Sequence, residues 1–136
     1  MRANGTFSVK VFNPTSLIPE PVIETALPVG VVQMEKHFEG AVAGRSATLF
    51  TAAFDQVTGM GTYVAMESFE GTVDGREGAF NFVHSASTGG SDRSAEFFAI
   101  VPSSGSGQLR GISGGGGLAI DPDGTHRIWL DYEIGG

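Results

Sequence analysis

The sequence has no cysteine and few basic residues. Without cysteine, the chain can form neither disulfides nor a reactive thiolate, and its cysteine content does not indicate an oxidising or a reducing compartment. Eight Lys and Arg stand against fifteen Asp and Glu, which gives a formal net charge of −7. A nucleic-acid binder must neutralise phosphates with cationic side chains. We therefore expect neither a nucleic-acid partner nor binding to an anionic membrane surface.

Long apolar runs are also missing. A membrane-spanning helix needs about 18 consecutive apolar residues, and the sequence contains no such stretch. An alternation of polar and apolar residues, rather than an apolar block, follows Arg2. We therefore expect no signal peptide and a cytoplasmic location.

Glycine, in contrast, is abundant. The 136 residues include 21 glycines, scattered between short apolar runs, and 40% of the chain is hydrophobic. Many tight turns that join many short strands need this distribution. We predict one all-β domain over residues 1–136.

The N-terminal region combines a strand with a proline-rich connection. Phe7, Val9 and Val11 alternate with polar residues, which predicts a half-buried strand over residues 5–11. Four prolines then exclude a helix in residues 13–30. Two roles stay open for this connection: a lid over the mouth of a barrel, or a crossing that wraps around the barrel end.

The most informative pattern is an internal repeat. The segment Phe38–Arg45 reappears 31 residues later as Phe69–Arg76, with six of eight positions identical. Asp74-Gly75 in the second copy is a strong signal for a two-residue hairpin turn, because both residue types tolerate positive φ. We predict the same strand–turn–strand hairpin in both copies. With a first strand and the later strands, about eight strands then close into an antiparallel barrel.

A two-residue turn at Asp74-Gly75 also fixes which side chains face the interior. Val73 would lie opposite Arg76, and one face would then carry Tyr63, Glu67, Phe69, Phe80, Phe82 and His84. Three phenylalanines mark that face as the interior, so a carboxylate and an imidazole would lie among aromatic rings. Lys36 occupies the position of Glu67 in the first copy.

Glu67 and His84 suggest proton-transfer chemistry. Desolvation would raise the pKa of Glu67 and make it a general acid or base, and His84 would relay a proton. The alternative is a satisfied internal hydrogen bond between them that stabilises the barrel. Lys36 would extend its ammonium group to the barrel mouth.

The predicted registers of the two hairpins place Phe50 and Phe54, with Val64 and Met66, on the outer face. An apolar stripe outside a barrel is typical of an oligomer contact. We predict a homodimer through the surface that contains Phe50 and Phe54. A β-bulge that shifts the register is the alternative.

No motif points to a cofactor or a metal. The run Gly105–Gly111 is one residue too long for a dinucleotide fingerprint. His37, His84 and His126 lack the spacing of a metal site. We expect no cofactor and no metal ion.

Three stretches resemble a known family. They are Gly61-x-Tyr63-Val64-x-x-Glu67, Gly71-Thr72-Val73-Asp74-Gly75-Arg76-x-Gly78-x-Phe80-x-x-x-His84 and Val101-Pro102-x-Ser104-Gly105-Ser106-Gly107-x-Leu109-x-Gly111-Ile112-x-Gly114. Together they make the chain similar to a bacterial domain-of-unknown-function family, number 3224, from Gly5 to Tyr132. Val83 and Ala86 depart from the family pattern, in which Gln and Gly are frequent. The resemblance implies an allene-oxide-cyclase-like barrel of eight antiparallel strands around an apolar cavity.

Three functions are compatible with such a barrel, because a fold does not determine a function. The first is binding of one small, largely apolar ligand in a lumen lined by Tyr63, Phe69, Phe80, Phe82 and Lys36, with Glu67 and His84 orienting it. The second is a cofactor-free cyclase or isomerase, with Glu67 as the proton-transfer group and His84 as its partner. The third is a structural oligomer whose core is filled by side chains.

Overall fold

The computed structural model describes residues 1–135, which form nine β-strands. The strands are β1 (Arg2–Pro14), β2 (Val29–Gly40), β3 (Val42–Phe54), β4 (Met60–Val73), β5 (Arg76–Gly89), β6 (Arg93–Ile100), β7 (Ser106–Gly107), β8 (Ile112–Ile120) and β9 (His126–Ile134). Among these residues, no helix is long and apolar enough to cross a membrane.

Eight of the strands close into a ring. Every pairing is antiparallel, and the order β4-β3-β2-β1-β9-β8-β6-β5 is completed by hydrogen bonds between β4 and β5. The two-residue strand β7 extends the ring at the end of β5 that follows the Asp74-Gly75 turn. This architecture confirms the predicted all-β fold with eight antiparallel strands in a closed barrel.

The ring is uneven in its pairing. Strands β3 and β4 form thirteen residue pairs, whereas β6 and β8 meet through the single pair Ala99–Gly115. The junction between β6 and β8 is therefore the thinnest part of the wall, since few ladder hydrogen bonds hold it.

The turn between β4 and β5 confirms the register predicted from the sequence. Asp74 and Gly75 have φ values of 49° and 81°, as a two-residue hairpin of the primed type requires. Val73 pairs with Arg76, and Glu67 pairs with Phe82 farther along the same ladder. The side chains assigned to one interior face therefore do share it.

The first copy of the repeat does not form the same hairpin, and that prediction was wrong. The chain reverses near Gly40, whose φ is 109°, instead of at Ala43-Gly44. Alanine disfavours the left-handed conformation that aspartate adopts at the first turn position of the second copy. As a result Lys36 pairs with Ser46.

This earlier reversal exchanges the two faces of β3. Phe50 points into the barrel, where its ring stacks on Tyr63 with the centroids 4.8 Å apart. Phe54 lies at the rim of the same interior space. The assignment of these two phenylalanines to the outer face was therefore wrong, whereas Val64 and Met66 are exposed, as predicted.

Aromatic and aliphatic side chains fill one half of the barrel. Phe38, Phe69, Phe80 and Phe82 pack there with Leu109, Ile112, Ile128, Leu130 and Tyr132, and all are almost completely buried. The phenolic oxygen of Tyr132 donates a hydrogen bond to Asp74, 2.5 Å away, which ties this packed half to the β4–β5 turn. The other half of the barrel is hollow.

Candidate functional site

The hollow half of the barrel forms a cavity of about 280 Å³ that opens to solvent. Its walls are mostly apolar and include Phe7, Val9, Met34, Phe50, Leu118 and Ile120. The alternation of inward and outward side chains along the strands builds these walls. The cavity ends where polar side chains replace the phenylalanines of the packed half.

A chain of hydrogen bonds joins five side chains at this boundary. Lys36 Nζ lies 2.6 Å from Glu67 Oε2, and the same oxygen contacts Nε2 of His84. Nδ1 of His84 lies 2.8 Å from the hydroxyl of Tyr63, which also accepts a bond of 3.1 Å from Arg93. Strands β2, β4, β5 and β6 each contribute at least one member. We call this the Lys36–Arg93 chain.

The partners in the Lys36–Arg93 chain fix where its protons lie. An ionised Glu67 only accepts, so Nε2 of a neutral His84 carries the imidazole proton and donates it. Nδ1 then accepts from the hydroxyl of Tyr63, whose oxygen in turn accepts from Arg93. The donations from Arg93 through Tyr63 and His84, and that from Lys36, all converge on the carboxylate of Glu67, with the two cations at the ends of the chain.

Glu67 is ionised although it is buried, because its partners outweigh its desolvation. Burial is the largest single influence and raises its pKa, but the hydrogen bond from His84 and the charge of Lys36 act the other way. Together they lower the pKa of Glu67 from 4.5 to about 2. Ser46 also donates a bond of 2.7 Å to the second carboxylate oxygen. The expectation of a raised pKa was therefore wrong, because sequence alone did not reveal these donors.

His84 is neutral near physiological pH. Burial is the largest influence and lowers its pKa below 6.5; the hydrogen bond and charge of Glu67 raise the pKa, and the positive charges of Lys36 and Arg93 lower it. The imidazole stacks against Phe82 and Phe98, with ring centroids 5.9 and 6.1 Å apart. These aromatic contacts hold the ring in the orientation that both of its hydrogen bonds require.

The residues selected from the sequence divide between the cavity and the packed half. Tyr63, Lys36 and His84 line the cavity. Glu67 lies beneath them and is almost completely buried. Phe69, Phe80 and Phe82 belong to the packed core and not to the cavity lining. The predicted extension of Lys36 to the mouth was wrong, since the ammonium is paired inside with Glu67.

Arg93 and Phe50 are site residues that the sequence analysis missed. Arg93 is the one basic residue between Arg76 and Arg110, which is the only signal the sequence offers for it. Its position depends on a register shift between Ser85 and Ser87 in the β5–β6 ladder, which no local pattern predicts. Phe50 was missed because the predicted first turn reversed the two faces of β3.

Three further observations define the surroundings of the cavity. None of residues 15–28 lines it, and nearly all of them are exposed, so the proline-rich connection does not cover the cavity in this structure. Thr48, opposite Glu67 in the β3–β4 ladder, has a buried hydroxyl without a hydrogen-bond partner in the described part of the chain. Within residues 1–135, no group of three or more His, Asp and Glu side chains is arranged to hold a metal ion.

Comparisons with known proteins identify a family and a fold. A family model described as "Protein of unknown function (DUF3224)" matches residues 3–132. A solved structure of a DUF3224-family protein of unknown function from Shewanella oneidensis MR-1 superposes with a TM-score of 0.84. The two sequences are 27% identical, and the match covers 100% of this chain and 98% of the other. None of the curated proteins matches the chain. With its family model spanning nearly all of its length, the chain belongs to the DUF3224 family.

Proposed function

We propose that the cavity binds one small, largely apolar molecule. The observation that carries this proposal is an apolar space of about 280 Å³ that opens to solvent and ends on the Lys36–Arg93 chain. Ligand sites are typically concave and mostly apolar, with a few polar groups that fix orientation. The size lies near the lower end of such sites, which restricts the ligand to a small molecule.

The same space argues against a purely structural interior. Protein interiors are normally packed as densely as organic crystals, and an unfilled volume reduces stability in proportion to its size. The packed half of this barrel follows that rule, with Phe69, Phe80 and Phe82 nearly inaccessible. A hollow half with aromatic walls is better explained by a ligand than by a core that has failed to fill.

The test introduces a phenylalanine on the side of β3 that faces the cavity and, as a control, on the side that faces away. Ala52 lines the cavity, whereas the neighbouring Ala53 is similarly buried but faces away from it. We expect 1-octanol to bind the wild-type protein and the Ala53→Phe variant in calorimetric titrations, and to lose binding in Ala52→Phe. Equal binding to both variants would place the ligand elsewhere, and no binding to any of the three would contradict the proposal.

A cofactor-free isomerase or cyclase is the second candidate, and the contact between Tyr63 and His84 favours it. Four groups of the Lys36–Arg93 chain line the cavity, and Tyr63 and His84 are the two among them that carry no fixed charge, while Glu67 is almost completely buried beneath them. The hydroxyl oxygen of Tyr63 would take a proton from a substrate carbon next to a carbonyl while its own proton passes to Nδ1 of His84. The electron pair left on that carbon would move to the carbonyl oxygen as an enolate, and return of a proton from Tyr63 to the same or another carbon of the enolate would restore the relay. Glu67 would stabilise the resulting imidazolium, as the carboxylate does in other three-residue relays. In this reaction Glu67 is a positioning residue.

Proton abstraction can be measured without knowing the natural substrate. In deuterated water, the relay would replace the hydrogens next to the carbonyl of 2-octanone with deuterium, which proton NMR detects. We expect this exchange to be faster than in buffer and to fall to the buffer rate in Tyr63→Phe, which keeps the stacking on Phe50. Unchanged exchange in that variant would exclude Tyr63 as the proton-transfer group, and exchange at the buffer rate in the wild type would exclude catalysis of this ketone.

A further inference from the structure

The charged side chains that line the cavity are all cationic. Lys36 and Arg93 lie in its lining, and no Asp or Glu of the described residues does. The chain as a whole carries fifteen acidic and only eight basic Lys and Arg residues. Two of the eight Lys and Arg residues therefore line the cavity, and none of the described carboxylates does. The cavity lining thus differs in charge from the protein as a whole, which is acidic.

The carboxylates nearest to these cations are turned away from the cavity. Glu67 lies beneath the cavity surface, and both of its oxygens are bonded, one to Lys36 and His84 and the other to Ser46. Glu96 bonds Nε of Arg93 from the exterior, with half of its side chain exposed. A ligand in the cavity therefore contacts the two cationic side chains directly, while their carboxylate partners lie behind them, outside the lining.

Both cations keep donors available for a ligand. An ammonium group has three N–H donors, and Glu67 is the one hydrogen-bond partner of Lys36 within residues 1–135. A guanidinium group has five donors. In Arg93, Nε donates to Glu96 and Nη2 donates to the hydroxyl of Tyr63. An oxygen-bearing group at this end of the cavity would accept hydrogen bonds from donors that are charged. Such bonds are about twice as strong as bonds between neutral groups.

We propose that the cavity selects apolar molecules that end in a carboxylate, and that Lys36 and Arg93 recognise this head group. This inference rests on the proposed function and specifies the chemical class of its ligand. The apolar walls accommodate the hydrocarbon part, and the low polarity of the cavity strengthens the attraction between the head group and the cations. A cationic head group would be repelled, and a neutral hydroxyl would gain hydrogen bonds without charge.

The experiment compares three probes that share one hydrocarbon chain and differ in the head group: octanoate, 1-octanol and octylamine. Calorimetric titrations near neutral pH give an affinity for each. We expect octanoate to bind about tenfold more tightly than 1-octanol, which corresponds to a free-energy difference of about 1.4 kcal/mol. Octylamine should bind most weakly.

Two substitutions assign the preference to the cations. In Lys36→Met and in Arg93→Gln the advantage of octanoate over 1-octanol should fall to about threefold or less. Arg93 is partly exposed, so its replacement tests the proposal even if loss of Lys36 prevents folding. Lys10→Met removes an exposed lysine of β1 outside the cavity lining and should leave the preference unchanged.

The outcomes separate this inference from the function on which it rests. If 1-octanol or octylamine binds as tightly as octanoate, the head-group inference is wrong while ligand binding stands. If none of the three probes binds, both are wrong. A preference for octanoate that persists in both Lys36→Met and Arg93→Gln would overturn the assignment to these cations.

Discussion

Lys36 and Glu67 form an ion pair of 2.6 Å inside the barrel, with 7% and 1% of their side chains exposed. They occupy equivalent positions in the two copies of the repeat, 31 residues apart, but carry opposite charges. Strand β3 lies between their strands in the sheet, so the pair spans the interior instead of linking neighbouring strands. The charge difference between the two copies therefore creates the polar end of the cavity.

Removing one partner of this pair should cost much stability, and removing both should cost less than the sum of the two single losses. A single loss leaves a buried charge without compensation and costs about 3–5 kcal/mol, whereas replacing both charges with apolar groups often costs little. We expect Lys36→Met and Glu67→Met each to lower the free energy of unfolding by about 3 kcal/mol. The double variant should lose less than the sum, by at least about 1 kcal/mol. Urea denaturation at neutral pH measures all four proteins.

A surface ion pair provides the control for this cycle. Arg2 and Asp131 form a pair of the same 2.6 Å length, but 57% and 50% of their side chains are exposed. Solvent screening keeps the contribution of such exposed pairs small, so Arg2→Gln and Asp131→Asn should have small effects. Additive losses for Lys36 and Glu67 would show that the buried pair does not act as a unit.

The second hairpin could be predicted from sequence because its turn chemistry is local. The dipeptide Asp74-Gly75 by itself predicts a two-residue turn, and the alternation of side chains then places Tyr63, Glu67 and His84 on one face. The first copy could not be predicted in the same way. It has Ala43 at the position that Asp74 occupies in the second copy, and its chain reverses near Gly40 instead. A displaced turn of this kind changes the facing of every residue in the following strand.

The electrostatics of the site depend on contacts that are distant in sequence. Glu67 alone, in an apolar setting, would have a raised pKa, and the prediction followed that reasoning. Its donors Lys36 and Ser46 come from β2 and β3, and their convergence depends on the register of the first hairpin. Arg93 reaches Tyr63 only through the irregular β5–β6 ladder. Sequence patterns of period two contain no information about such bulges.

The conformational requirement of the β4–β5 turn can be tested at Gly75. This glycine has a φ of 81°, and a Cβ added to it would have no neighbour within 4 Å. The cost of Gly75→Ala is therefore purely conformational, and we expect a loss of about 1–2 kcal/mol in the free energy of unfolding. Gly30 in β2 also has free space around a Cβ but lacks a positive φ, so Gly30→Ala should be neutral or slightly stabilising. Equal effects at the two positions would contradict a left-handed requirement at Gly75.

Self-association remains a prediction from the sequence, with a changed surface. Phe50 lies inside the barrel, so an outer contact would use Leu49, Val64 and Met66, whose side chains are about half exposed. We expect sedimentation equilibrium to give twice the 14.1 kDa mass of one chain. Leu49→Lys together with Met66→Lys should shift the protein to the monomer. A monomeric wild-type mass would end the prediction of a homodimer.

The buried imidazole predicts a loss of stability in mild acid. The pKa of His84 is lowered from 6.5 in the folded protein, chiefly by burial and further by Lys36 and Arg93. As the pH falls through 6.5, the unfolded chain takes up a proton at this position that the folded chain does not. The folded state therefore loses stability with falling pH, with a slope of up to about 1.4 kcal/mol per pH unit for a single group. Above pH 6.5 the contribution of His84 is fully present.

Glu67 adds a second loss at lower pH with the same sign. The pKa of Glu67 is about 2 in the folded protein and 4.5 in the unfolded chain, so the stabilisation from its ionisation is lost as the pH falls below 4.5.

The two pH windows can be separated by His84→Gln, whose amide can donate to Glu67 and accept from Tyr63 as the neutral imidazole does. We expect urea denaturation between about pH 7.5 and about pH 5.5 to show a falling free energy of unfolding in the wild type and a flatter profile in the variant. The same slope in His84→Gln as in the wild type would mean that His84 is protonated equally in the folded and unfolded states, and the proton assignment along the Lys36–Arg93 chain would then be wrong.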